Sequence, residues 1–216
     1  MGKVFILIVI IASFVLNGFL VVDKIKSNQK NHFLVTNVID GDTFETSDKK
    51  LIRLLGVEAP ELGLCGADES KKQLENLILN KNISFSATTN DIFRRLVADV
   101  YLDEKSVNVA MIVSGWAAYD SSDSSVGEEM KLAGEKARKE KIGIFGEKCT
   151  QISNSKCKIK GNINDGRETK IYEFPGCGRY ELTAVELFRG DQWFCSEKEA
   201  EDAGFVKSKN CFGKVY

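Results

Sequence analysis

Histidine is nearly missing from this chain: His32 is the one copy among 216 residues. It precedes the first β-rich run and has no acid or cysteine pattern around it. Hydrolysis built on a histidine base, with serine or with water as the attacking group, is therefore effectively excluded. A surplus of positive charge is missing too. Residues 31–149 hold 15 Lys and Arg against 20 Asp and Glu, and residues 150–216 hold 11 against 10. A protein that holds nucleic acid through many distributed phosphate contacts is strongly basic, so any such contact here has to be local or assisted by a metal.

What is present begins with an apolar run. Val4 to Val22 is interrupted only by Ser13, Asn17 and Gly18, and a helix of that length, at ~1.5 Å per residue, nearly spans the ~30 Å hydrocarbon core of a bilayer. The run exceeds the ~7–15 residues of a signal-peptide core and carries no Ala-x-Ala pattern, so residues 1–22 read as an uncleaved signal anchor in preference to a cleaved signal peptide. Lys3 on one side and Lys24, Lys26 and Lys30 on the other would, by charge alone, keep the body of the protein in the cytoplasm, a bias that long following domains override. The six cysteines, Cys65, Cys149, Cys157, Cys177, Cys195 and Cys211, are an even number and fit an oxidising compartment. The expectation is a protein anchored in the membrane and facing outside the cytoplasm, or secreted. Residues 23–31, polar and rich in lysine, read as a tether.

Folding starts near His32. Phe33 to Ile39, Thr43 to Thr46 and Leu51 to Val57 are short β-rich runs, the last two flanking the polar turn 47–50. Ala67 to Leu79 places Leu74, Leu77 and Ile78 at helical spacing before Asn80-Lys81-Asn82. Ile83 to Ala87 and Leu96 to Leu102 follow as strands, then a helix over Val107 to Ser114 closed by Gly115 and a longer one over about Gly127 to Lys141. The cations in the last turn of that helix, Lys136, Arg138, Lys139 and Lys141, suit its dipole.

The chemistry-bearing residues fall at the ends of these runs: Asp40-Gly41-Asp42-Thr43, then Arg53, then Glu58-Ala59-Pro60-Glu61, then Asp91-Ile92-Phe93-Arg94-Arg95. Hard carboxylate oxygens select Ca²⁺ or Mg²⁺ over zinc. Arginine forks suit a phosphate whose charge grows in the transition state. The ordered set closely resembles the staphylococcal nuclease (thermonuclease) family over roughly residues 32–149. The resemblance implies an α+β fold, an OB-type five-stranded barrel with about three helices packed on it. It implies a calcium-dependent endonuclease that hydrolyses phosphodiester bonds in DNA and RNA with little base preference, cutting on the 5′ side to leave 3′-phosphates. In that frame Arg53 and Arg95 match the phosphate-binding arginines and Glu61 the general base. Asp42, Glu58 and the main-chain carbonyl of Ala59 match the calcium ligands, and Asp40 an acidic position beside the metal. The pattern departs from the family in three places. Glu58 stands where an aspartate is usual, which predicts shifted coordination and weaker calcium binding. Phe93 stands where a tyrosine is common and loses a hydroxyl that contacts phosphate. Ile92 and Arg94 replace a lysine and a glycine. Slower turnover or a more open groove is expected. Tyr119 can stack on a base or touch phosphate, or equally sit half-buried in the core.

From Thr150 the character changes to glycines, scattered cysteines and no long helix. Ser196 with Glu199 is a capping box and Gly204 closes a helix of about two turns. Residues 150–216 are similar to the small sunset domain. They also faintly resemble zinc modules, but Glu173 stands where relatives often carry histidine, and disulfides are favoured over Zn²⁺; four cysteines leave three connectivities open. Two other readings compete. A non-catalytic OB module could bind nucleic acid or a protein partner, against which the retention of Asp42, Glu61, Arg53 and Arg95 argues. Alternatively the tail, as a zinc or cell-surface module, could be the functional part. The protein is expected to be a monomer.

Overall fold

The structure is a computed structural model that describes residues 32–164 and 169–216. The apolar run and the tether lie outside the described residues. Among the described residues, no helix is long and apolar enough to cross a membrane.

Short runs rich in apolar and β-branched residues build a sheet from Phe33–Val38 (β1), Thr43–Thr46 (β2), Leu51–Leu54 (β3), Asn82–Asn90 (β5) and Leu96–Leu102 (β6). β1 pairs antiparallel with β2 and β5, β2 with β3, β5 with β6, and β6 with the short Lys105–Ser106 (β7). The last contact is the decisive one: β3 runs parallel to β6, with Ile52 opposite Leu96, Arg53 opposite Val97 and Leu54 opposite Ala98. That ladder closes a five-stranded barrel of OB type, leaving no free edge between its first and last strands. Val35, Phe44, Ile52, Leu54, Ile83, Ala98 and Val100 fill its interior.

The expected strand Leu51 to Val57 is broken. Gly56 takes φ +71°, and a Cβ there would meet Ser122 Oγ at 2.4 Å. The chain turns at this point, and Val57–Glu58 (β4) pairs instead with Ala118–Tyr119 (β8), so that Val57 faces Tyr119. Ala67–Ile78 (α1), Val107–Val113 (α2) and Gly127–Lys139 (α3) cover the barrel close to the expected spans. Asn108 fastens α2 to the closing ladder. Its buried amide donates to the carbonyls of Leu55 and Ala98 and accepts from Val100 N–H at 2.9 Å.

Residues 150–216 contain more order than their sequence announces. Ile159–Asn164 (β10), Thr169–Glu173 (β11), Gln192–Phe194 (β13) and Val206–Lys207 (β14) form a four-stranded sheet in the order β13-β10-β11-β14. Glu197–Asp202 (α4) packs against it, with Ser196 Oγ accepting from Glu199 N–H as an N-cap. The Glu199 carboxylate reaches back to Cys195 N–H, one residue before the cap position. The cysteines pair as Cys65–Cys149, Cys157–Cys195 and Cys177–Cys211, which selects one of the three connectivities for the tail.

The tail is seated against the barrel side of the molecule. Phe188 is buried with Ala118, Ala137, Ile144, Phe145 and Cys149, and Leu187 N–H donates to the Cys149 carbonyl; just past that point Thr150–Gln151 (β9), the first residues of the tail, pairs with Val185–Glu186 (β12). Arg138 of α3 pairs with Glu186. Phe33–Tyr216 forms one compact body.

Candidate active site

The loop joining β1 to β2 folds on itself through Asp40. Its Oδ1 accepts from the main-chain N–H of Asp42 at 3.0 Å and of Thr43 at 2.7 Å, an Asx turn that fixes the loop. Gly41, between the two aspartates, lies so close to α1 that a Cβ would meet Ser70 Oγ at 1.8 Å and Ala59 Cβ at 2.7 Å. Glycine at this position lets the loop reach Ala59. Asp40 thus acts on backbone shape, beside Asp42.

Asp42 is 3% exposed. Its Oδ1 accepts from Thr43 Oγ1 at 2.7 Å and from Arg53 Nη1 at 2.8 Å, and its Oδ2 accepts from Ala59 N–H at 3.1 Å. Burial raises this carboxyl to about 7; Arg53 pulls it back down and neighbouring Asp40 adds to the rise. Arg53 sits opposite Thr43 in the β2–β3 ladder and opposite Val97 in the closing ladder. From there its second fork nitrogen, Nη2, donates to Glu58 Oε2 at 2.7 Å. Burial works against the charge on Arg53, but Asp42, Glu58, Asp40 and Glu61 outweigh it and hold its pKa above the ordinary value.

Arg95 reaches the same place from the start of β6. Its Nε donates to Asp91 Oδ2 at 2.6 Å and its Nη1 to Thr43 Oγ1 at 3.3 Å. Asp91 also accepts from the main-chain N–H of Phe93 and Arg95, each at 2.9 Å. Burial alone would raise the Asp91 carboxyl, and these donors hold it below its usual range. Asp91 entered the sequence pattern without a role, and Thr43 as part of a turn. Their positions show that one orients Arg95 and the other links the two arginines through Asp42.

Arg53, Glu58, Glu61, Asp91, Phe93 and Arg95 line one cleft of about 400 Å³. Glu61 is exposed, on the loop between β4 and α1. Phe93 is 70% exposed, with the Arg95 guanidinium 5.3 Å from its ring centre. Tyr119 does not line this cleft. It is half-buried against the barrel core and faces a neighbouring cavity.

The donors available to a cation are of the hard oxygen type that suits Ca²⁺: the buried Asp42 carboxylate, Glu58 and the Ala59 carbonyl. Both carboxylates are tied to one guanidinium, so Arg53 holds them about a shared centre. Among the described residues, no three His, Cys, Asp or Glu side chains form a ready metal cage. A cation here would complete its shell with water or substrate oxygens, as Mg²⁺ and Ca²⁺ sites often do.

Residues 51–147 match the family model described as staphylococcal nuclease homologue. The match takes in Arg53, Glu58, Glu61 and Arg95 and begins after Asp42. An uncharacterized endonuclease of Haemophilus influenzae is 31% identical over 127 residues, which cover 56% of this chain and 70% of that protein. An uncharacterized endonuclease of Escherichia coli is 28% identical over 120 residues, 54% of this chain and 78% of that protein. The probable endonuclease LCL3 of Colletotrichum graminicola is 31% identical over 137 residues, 56% of this chain and 50% of that protein.

Proposed function

Because the chain belongs to the staphylococcal nuclease family and is a nuclease, we propose that it is a calcium-dependent endonuclease acting on DNA and RNA with little base preference. The observation that carries the reading is the common cleft, where two arginines from strands paired in parallel meet Glu58 and Glu61.

A phosphodiester resists hydrolysis because water must approach a charged phosphate and expel a poor leaving group. Asp42, Glu58 and the Ala59 carbonyl would hold the cation. When bound, the cation supplies charge neutralisation and a polarised phosphate oxygen. Arg53 and Arg95 take up the negative charge that grows on the non-bridging oxygens, each presenting a planar fork that stays charged. We assign Glu61 to the attacking water: it accepts the proton as oxygen bonds to phosphorus and the bond to the 5′ oxygen breaks, the departing oxygen taking a proton from solvent water, which leaves a 3′-phosphate and a 5′-hydroxyl. Asp91 and Thr43 keep Arg95 aimed at the cleft. Three disulfides support action outside the cytoplasm, whether anchored or secreted.

The test is digestion of single- and double-stranded DNA and of RNA by the full-length protein, with added Ca²⁺ and with EGTA. Fragmentation in Ca²⁺ and none in EGTA is expected. Fragmentation that survives EGTA would overturn the calcium assignment, and intact polymers in every condition would overturn the catalytic one.

A further inference from the structure

We infer that the Cys65–Cys149 disulfide and the tail turn packed behind it position Glu61 for catalysis, so that the tail serves the nuclease by bracing the loop that carries its base. The inference rests on the reading of Glu61 as the group that takes the proton of the attacking water, and it adds Leu64, Cys65 and Cys149 as positioning residues. Glu61 is exposed, on the loop that leads from β4 to α1. Arg53 senses its charge, yet among the described residues no hydrogen bond or ion pair holds its carboxylate. Its place is therefore set by the main chain beneath it. That main chain is poor at holding itself. Two of the next five residues, Gly63 and Gly66, take φ +88°, and glycine loses the most conformational freedom on being ordered. The loop's own hydrogen bonds are two tight turns, Leu64 N–H to the Glu61 carbonyl at 3.0 Å and Ala67 N–H to the Leu64 carbonyl at 3.2 Å.

The clamps come from outside the loop. At its start Ala59 N–H donates to Asp42 Oδ2 at 3.1 Å. Near its end Cys65, four residues after Glu61, is tied covalently to Cys149, which is buried with Ile144, Phe145 and Phe188. Gly66 follows in close approach, since a Cβ there would meet Ile144 Cγ2 at 2.8 Å. The tail backs both sides of the bridge. Leu187 N–H donates to the Cys149 carbonyl at 2.8 Å, and Phe188 packs into the same cluster. Gly190 passes beside the loop itself: a Cβ on it would stand 3.9 Å from Leu64 Cδ1 and 3.2 Å from Ile163 Cδ1. This tail turn is fixed in its own right by Asp191, a buried carboxylate that accepts from Asn162 Nδ2 and from the main-chain N–H groups of Ile163 and Glu186. Contact thus runs from Asp191 through Gly190 and Phe188 to Leu64 and Cys149, and ends within four residues of Glu61. A general base works only within hydrogen-bond reach of the water it serves, and a displacement of ~1 Å costs up to ~10²-fold.

The test uses the full-length protein and two variants, Cys65→Ala combined with Cys149→Ala, and Leu64→Ala, each made also in a Glu61→Gln and in an Arg95→Ala background. On single-stranded DNA with Ca²⁺, kcat is expected to fall about tenfold without the bridge and about threefold in Leu64→Ala, with KM changed less than about twofold. Both losses should vanish in the Glu61→Gln background and persist with Arg95→Ala, because the brace acts through Glu61. An equal loss in every background would reduce the bridge to general stability and overturn the inference. Amide hydrogen exchange reads the same brace without turnover: residues 61–67 should exchange about tenfold faster in both variants while β3 keeps its wild-type rate. Unchanged exchange over 61–67 overturns the brace whatever the activity. Faster exchange, in a protein whose wild type cuts no nucleic acid, keeps the brace and removes the nuclease reading. Leu64→Ala decides the matter should the chain without the bridge fail to fold.

Discussion

Arg53 answers to two carboxylates at once, Asp42 at 2.8 Å and Glu58 at 2.7 Å. An entering phosphate competes for the same fork, so charge alone is not enough at this position. Arg53→Lys keeps the charge and loses the fork; turnover is expected to fall ~10-fold or more with the melting temperature near that of the wild type, and full activity would refute the two-point argument. Arg53→Ala, Arg95→Ala and Glu61→Gln should each lower turnover on the order of 10²-fold, measured as initial rates on single-stranded DNA. Asp42 adds a pH dependence. The folded chain keeps its proton over a window from 3.8 to about 7 in which the unfolded chain has already released it, so this group's contribution to stability declines as pH rises through that window. A cation that binds the carboxylate has to displace the proton below about 7. The rise in melting temperature produced by Ca²⁺ should therefore be larger at pH 8 than at pH 5; equal rises would count against Asp42 as a ligand. Arg53, Glu58, Glu61 and Arg95 could be singled out in the sequence because, taken together and in order, they resemble a known family's pattern. The tasks of Thr43 and Asp91 could not, since the Thr43–Arg95 contact exists only once strands distant in sequence are brought together.

Among the elements, the parallel contact between β3 and β6 matters most, because it alone brings the two arginines into one cleft. Antiparallel neighbours could be inferred from short turns such as 47–50, whereas a ladder joining Ile52 to Leu96 leaves no local signal. Asn108 secures it with three hydrogen bonds at buried main-chain groups. Asn108→Ala would take the side-chain partner from the Leu55 carbonyl and the Val100 N–H, while the Ala98 carbonyl keeps the Leu55 N–H, and the expected loss of stability by urea unfolding is about 2–4 kcal/mol. A loss under ~0.5 kcal/mol would mean that the closing ladder does not depend on this side chain. The helices were the easiest elements to read, from apolar residues at helical spacing in Ala67–Ile78 and Gly127–Lys139 and from a closing glycine or a capping box in the two shorter ones. The tail sheet was missed because β13 and β14 are three and two residues long. Strands that short cannot establish an alternation, and their pairing comes from disulfides and aromatic packing such as Phe194 on Phe205, 5.1 Å apart.

For the molecule as a whole, the seam at Phe188 decides whether the tail behaves as an appendage or as one body with the barrel. Phe188 is 4% exposed and meets Phe145 edge to face at 5.7 Å. Phe188→Ala should cost about 3–5 kcal/mol, and urea unfolding followed by Trp116 and Trp193 fluorescence is the measurement. A change below ~1 kcal/mol would show the seam to be incidental. The segment between Gln151 and Cys157 is largely exposed, and every disulfide lies wholly on one side of it. A protease cut in that short bridge would yield two cross-linked pieces that remain in company through apolar contact, one small ladder and an ion pair. A denaturant would part them, and a mild reductant by itself would not.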